Sequence, residues 1–169
     1  MNLYLMRHAN AGISRGNVEL DQKRALVDEG KQQCMVMAQA LVALKVSIDA
    51  IVASPLKRSM QTAQLVATEM GLETRVEINP ALAPEGSYAA FQQMLGEYEA
   101  RGCDGILAVG HNPNLFHFLG RMITGNGGAA VRIRKGSVMR VDLEHHPPIL
   151  RWLIDPRTAR LLLNATRHA

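Results

Sequence analysis

Leu3-Tyr4-Leu5-Met6-Arg7-His8 opens the chain with four apolar side chains in a row and then two that carry nitrogen. A run that is apolar at every position, and not at every second one, predicts a strand covered on both faces, the habit of parallel sheets. The signature returns at Ala50-Ile51-Val52-Ala53, followed by Ser54-Pro55-Leu56-Lys57-Arg58. It returns again at Ile106-Leu107-Ala108-Val109, followed by Gly110-His111-Asn112-Pro113. Helical periodicity fills the intervals. Cys34, Met37, Ala38 and Leu41 recur at i, i+3, i+4 and i+7, and so do Leu115, Phe118, Leu119 and Met122. Leu56, Met60, Ala63, Ala67 and Met70 form a third stripe, with Ser54 and Pro55 read as its cap and first turn. Tyr88, Phe91, Leu95 and Tyr98 form a fourth. This alternation predicts an α/β three-layer sandwich around a mainly parallel central sheet.

The last third changes character. Val131-Arg132-Ile133-Arg134 alternates, Lys135-Gly136 can turn the chain, and Met139, Val141 and Leu143 alternate again before Leu150, Trp152 and Ile154. Two or three antiparallel strands are expected at one edge of the sheet. Residues 157–169 contain no acidic side chain and read as a helical or frayed tail, frayed by default. A single domain over residues 1–156 with that tail is the expected organisation.

Composition agrees with one domain. The chain has 169 residues, 47% of them apolar and 20% charged, which supports a full core and excludes wholesale disorder. No apolar run approaches the roughly 20 residues that span a bilayer. The apolar stretch before Arg7 is too short for a secretory signal. Two cysteines, Cys34 and Cys103, make no disulfide framework and no zinc ribbon. A soluble, cytoplasmic protein with reduced thiols is expected. Lys and Arg number 19 against 15 Asp and Glu, and 14 of the 19 are arginine, the side chain suited to bidentate contact with phosphate or carboxylate. Seven scattered aromatics and no basic cluster argue against nucleic acid.

The chemistry sits where the buried strands end. If the strands are parallel, their C-terminal ends share the edge at which open α/β sheets bind ligands. Arg7, His8, Arg58 and His111 then meet around one crevice, with helix N-termini near Pro55 and Pro113 adding free N–H groups. Such a pocket fits a phosphoryl group with no metal and no cofactor. Other phosphate chemistries lack their motifs. There is no G-x-x-x-x-G-K-[ST] loop, neither cysteine has an arginine six positions on, and no Asp-x-Asp follows a buried strand. A histidine remains as the phosphoryl acceptor. Gly12-Ile13-Ser14-Arg15-Gly16 matches G-x-S-x-G but lacks the flanking strand and helix of a nucleophile elbow, so it reads as a polar loop. Ser54-Pro55-Leu56-Lys57 matches S-x-x-K without its companion motif, and Ser54 reads as a cap.

Four blocks carry a family resemblance. Leu3 to Ala11 resembles the opening motif of the histidine phosphatase superfamily, and within it the SixA-type phosphohistidine phosphatases. Asp21 to Gly30, Ser54 to Ala63 and Val109 to Leu115 resemble the second, third and last blocks, in family order. The resemblance implies a phosphoglycerate mutase-like fold and no metal. It implies His8 as nucleophile through a covalent phosphohistidine, with Arg7, Arg58 and His111 holding the phosphoryl oxygens. It also implies a phosphorylated protein as substrate, notably a histidine phosphotransfer domain of a signalling relay. Glu85 falls in the segment that supplies a proton donor in other branches; the alternative is an exposed loop carboxylate. Ala25 and Val27 depart from the proline and threonine usual beside Arg24, which favours a structural ion pair for that arginine.

Each residue has a plainer reading as well. Arg58 lies about 200° around its helix from Leu56 at ~100° per residue and could be surface. His117 reads as solvated, His145 and His146 as turn residues, and Cys34 as core. The rival functions are a small-molecule phosphomonoesterase on the same site and a non-catalytic module that binds phosphoprotein.

Overall fold

The apolar runs at Leu3, Ala50 and Ile106 become β1 (Asn2–Arg7), β2 (Ala50–Ala53) and β4 (Gly105–Gly110) of a computed structural model that describes residues 1–14 and 16–167, the side chains of 166 and 167 excepted. β3 (Val76–Ile78), β5 (Val138–Asp142) and β6 (Ile149–Ile154) complete a six-stranded sheet in the order β3-β2-β4-β1-β5-β6. β2 pairs parallel with both β3 and β4, and β4 pairs parallel with β1. β5 runs antiparallel to β1, and β6 antiparallel to β5. The carboxyl ends of β1, β2 and β4 therefore share one edge with the start of β5.

The central strands are buried on both sides because alternate residues serve different cores. Tyr4, Met6, Ile51, Ala53, Leu107 and Val109 face one layer, built on α2 (Asp28–Ala43), α3 (Lys57–Met70) and α6 (Pro156–Arg167). Leu3, Leu5, Val52, Ile106 and Ala108 face the other, built on α4 (Tyr88–Ala100) and α5 (Asn114–Thr124). The layers are those of a three-layer α/β sandwich with antiparallel strands at one edge. In the second layer Phe91 stacks on Phe118 with ring centroids 4.6 Å apart.

Local structure departs from expectation in several places. Val131–Arg134 alternates but forms no strand, since β5 and β6 already fill that side of the sheet. The Ile133 carbonyl accepts instead from the side chains of Arg7 (2.8 Å) and Asn112 (3.3 Å). The third helix begins at Lys57, two residues beyond the Pro55 start, and Leu56 occupies its cap. Residues 11–14 are irregular, and a five-residue helix, α1 (Val18–Gln22), follows with no buried residue. Arg15, inside the G-x-S-x-G match, lies outside the described residues.

Of helix and frayed tail, residues 156–167 take the helix. Asp155 Oδ1 accepts from the Thr158 amide at 2.8 Å, Pro156 fits the first turn, and Ala159 packs into the α2–α3 layer at 1% exposure. Residues 168 and 169 of that tail lie outside the described residues.

Two glycines bring elements close to the shared edge. A Cβ at Gly30 would overlap the Asn10 carbonyl, so only glycine lets the first turn of α2 pass the segment after β1. Gly136 has φ +78°, and a Cβ there would meet Pro156 at 2.9 Å. No helix among the described residues is long and apolar enough to cross a membrane.

Candidate active site

Arg7 and His8 leave β1 together, and the backbone fixes them before any side chain acts. The His8 amide donates to the Gly110 carbonyl at 3.0 Å, continuing the ladder with β4. On the other side, the Gly136 amide donates to the carbonyls of Arg7 and His8 at 3.1 and 3.2 Å. Next, the Ala9 amide donates to Thr62 Oγ1 (3.1 Å), which donates to the Arg58 carbonyl (2.7 Å), tying β1 to α3.

The tautomer of His8 follows from one contact. Its Nδ1 lies 2.8 Å from the Ala9 carbonyl oxygen, which can only accept, so Nδ1 carries the proton. Nε2 is left with its lone pair, the form a nucleophile needs. Burial, the largest cause, pushes the His8 pKa down to about 4. The bond to Ala9 works against this, and the charges of Arg58, Arg7 and Arg24 reinforce it. His8 is neutral at physiological pH.

His111 lies across from it, with ring centroids 5.0 Å apart. Its Nε2 is 2.8 Å from Ser54 Oγ and 3.2 Å from Ser59 Oγ. Burial first, then the facing His8 and Arg58, lower its pKa to about 3. Ser54 thus serves the histidine as well as the turn into α3, where its Oγ accepts from the Leu56 amide at 3.3 Å.

Arg58, in the first turn of α3, is buried at 5% exposure; surface placement is excluded. Its NH1 donates to the Asp21 carbonyl (2.8 Å) and sits 3.2 Å from Asp21 Oδ2. Asp21 also accepts from Arg24 Nε at 3.0 Å. Burial pushes the Asp21 carboxyl up, but a bond from Ser14 and the charges of Arg58 and Arg24 outweigh it and hold the group below its ordinary value. Arg24 also donates to the carbonyls of Ala11 (3.2 Å) and Gly12 (2.9 Å), so it is the structural ion pair expected and a wall of the cleft besides. Lys135 reaches Asn10 Oδ1 at 3.2 Å, and burial followed by the charge of Arg7 lowers its pKa.

Arg7, His8, Arg58 and His111 all line one cleft of about 530 Å³. Among the described residues, five buried side-chain atoms have no hydrogen-bond partner: Arg7 Nε, Arg58 Nε, His111 Nδ1, Asn112 Oδ1 and Ser137 Oγ. All five belong to this one edge. Buried polar atoms are otherwise paired, so their concentration at a single spot marks a binding site. The arginines present charge-assisted donors, which suits a tetrahedral oxyanion.

Other candidates lie elsewhere. Glu85 is exposed, one residue beyond Pro84, which lines the cleft. His117 is exposed and bonds the Gly127 carbonyl at 2.7 Å, and His145 pairs with Asp142 at 3.3 Å. Cys34 is buried core, its thiol pushed up to about 12 by burial. No group of three or more His, Cys, Asp or Glu with metal-binding placement occurs among the described residues. Asp21, Ser54, Ser59 and Asn112 are site residues that sequence reasoning missed. Ser54 could have been found, because it ends a buried strand at the same edge as Arg7 and Gly110.

Comparison with known proteins places this geometry. The family model of the histidine phosphatase superfamily (branch 1) matches residues 3–148. An uncharacterized protein of Picosynechococcus sp. is 32% identical over 140 residues, covering 82% of this chain and 83% of that one. Phosphohistidine phosphatase SixA of Escherichia coli K12 is 26% identical over 125 residues, 74% of this chain and 76% of its own. The solved structure of the protein histidine phosphatase SixA complexed with tungstate superposes with a TM-score of 0.81 at 24% identity, covering 92% of this chain and 97% of that one.

Proposed function

The chain belongs to the histidine phosphatase superfamily and is a phosphatase, and from that premise we propose that its substrate is phosphohistidine on a protein, a histidine phosphotransfer domain of a signalling relay. His8 Nε2 attacks phosphorus in line, and the new P–Nε2 bond forms as the P–N bond to the substrate imidazole breaks. With the remote nitrogen of that imidazole protonated, it departs neutral. Arg7, Arg58 and His111 hold the equatorial oxygens, the two arginines through charge-assisted donors aimed where charge develops. Water then attacks phosphorus, the P–Nε2 bond breaks, and neutral His8 and inorganic phosphate result. The cytoplasm, where free thiols such as Cys34 and Cys103 persist, is the proposed setting.

One observation carries the choice of phosphohistidine over a phosphate ester. Among the described residues lining the cleft the only carboxylate is Asp21, which Arg58 and Arg24 hold ionised. An alkoxide leaves badly without a general acid, whereas a protonated phosphohistidine needs none. The E. coli relative, a phosphohistidine phosphatase, supports the same reading.

The test compares a phosphohistidine protein with simple phosphomonoesters for wild type, His8→Ala and Glu85→Gln. Wild type takes up acid-labile label from the phosphohistidine protein and turns it over. His8→Ala takes up none, and Glu85→Gln changes turnover by less than about twofold. Faster hydrolysis of esters, lost in Glu85→Gln, would instead make the chain a small-molecule phosphomonoesterase. Tight binding without turnover would make it a phosphoprotein-binding module.

A further inference from the structure

A second and larger hollow adjoins the catalytic cleft. About 800 Å³ in volume, it shares Arg7, Asn112 and Lys135 with the cleft and runs between residues 131–135, the start of α2 and the start of α6. It is far larger than a phosphoryl group and one imidazole require, and on the reading above those are held in the cleft itself. Its lining holds six cations and two carboxylates, an excess of four that matches the formal net charge of +4 for the whole chain. The remaining charged residues of the sequence cancel in number, so this one lining holds an excess equal to that of the whole chain.

The two carboxylates are already engaged. Asp155 caps α6 and lies 3.7 Å from Arg134, and Glu29 accepts from Asn10 Nδ2 at 2.6 Å. Arg132, Arg157 and Arg160 are exposed, and none makes a side-chain ion pair among the described residues. Three exposed guanidiniums thus flank a groove that opens into the cleft. A residue phosphorylated on a protein brings its flanking backbone with it, and this wall, which shares Arg7, Asn112 and Lys135 with the cleft, lies within that backbone's reach.

We propose that the groove docks an acidic segment of the substrate protein next to its phosphohistidine, with Arg132, Arg157 and Arg160 as the specificity-determining cations. The proposal rests on the phosphohistidine reading above. Exposed charges of this kind act mainly on encounter and on KM, and salt screens them. They touch no reacting atom.

Two synthetic phosphohistidine peptides of equal length test it, one with Glu at the flanking positions and one with Gln. Wild type should favour the Glu peptide about tenfold in kcat/KM at low salt, through KM, and the preference should shrink as salt rises. Arg132→Ser/Arg157→Ser/Arg160→Ser should abolish the preference and leave turnover of the Gln peptide unchanged. Equal rates on both peptides in wild type, or a preference that survives the triple substitution, would overturn the docking proposal while the phosphohistidine reading stands. If the triple variant loses activity on the Gln peptide, the wild-type ratio and its salt dependence decide alone. Hydrolysis of neither peptide by wild type would remove both readings together.

Discussion

The neutrality of His8 has a measurable signature. Its pKa falls from 6.5 to about 4, chiefly because the ring is buried at 6% exposure. A depression of that size corresponds to about 3 kcal/mol against the imidazolium in the folded state. At pH 5 roughly nine-tenths of His8 is then neutral, against about 3% of an ordinary histidine, a difference of about thirtyfold in competent nucleophile. The assay is a histidine ring titration by ¹H–¹³C NMR, with the His8 signal assigned by its loss in His8→Asn. The linked stability has a definite sign. Below pH 6.5 the unfolded chain binds a proton on this residue that the folded chain refuses, so stability is full above 6.5 and declines as pH falls toward 4. His111, depressed to about 3, adds in the same direction. Urea unfolding at pH 7.5 and 5 should therefore show wild type losing more stability on acidification than His8→Ala. A His8 midpoint of 6 or higher would refute both the burial account and the idea that the nucleophile is kept unprotonated.

Two further outcomes follow from the geometry. Asp21→Asn removes the charge that holds Arg58 and Arg24 at 3.2 and 3.0 Å, and should lower kcat/KM about tenfold while His8 keeps its depressed midpoint. Gly30→Ala forces a Cβ into the Asn10 carbonyl and should cost on the order of 1–3 kcal/mol in urea unfolding, with the first turn of α2 displaced from the cleft wall.

The parts of this fold that a reader of sequence can see are those buried on both sides. β1, β2 and β4 each hold an unbroken apolar run because helices cover each face, and the residues after those runs announce the binding edge. Short and edge elements leave no such trace. β3 has three residues, none fully buried, and exists by pairing with β2. α1 has five residues and buries none of them, so Asp21 is placed by its arginine partners and not by any period. Val131–Arg134 shows the converse failure: the alternation is there, but the strand positions beside it are taken. Asp155-Pro156 is a legible helix start that the absence of acidic residues in the following segment obscured. Arg58 lies off its helix's apolar stripe, and only its contacts with Asp21 of α1 show it to be a buried cation with a partner.

β1 is bonded along its length to β4 on one side and β5 on the other. A strand so enclosed has no frayed margin. Amides enclosed in this way are expected to exchange with solvent only when the whole domain opens, whereas loops such as those at the mouth of the cleft can open by themselves. The nucleophile is thus anchored to the least yielding part of the molecule and its surroundings to the most yielding. Sequence drift around the mouth can retune which partners are admitted without shifting the atom that attacks.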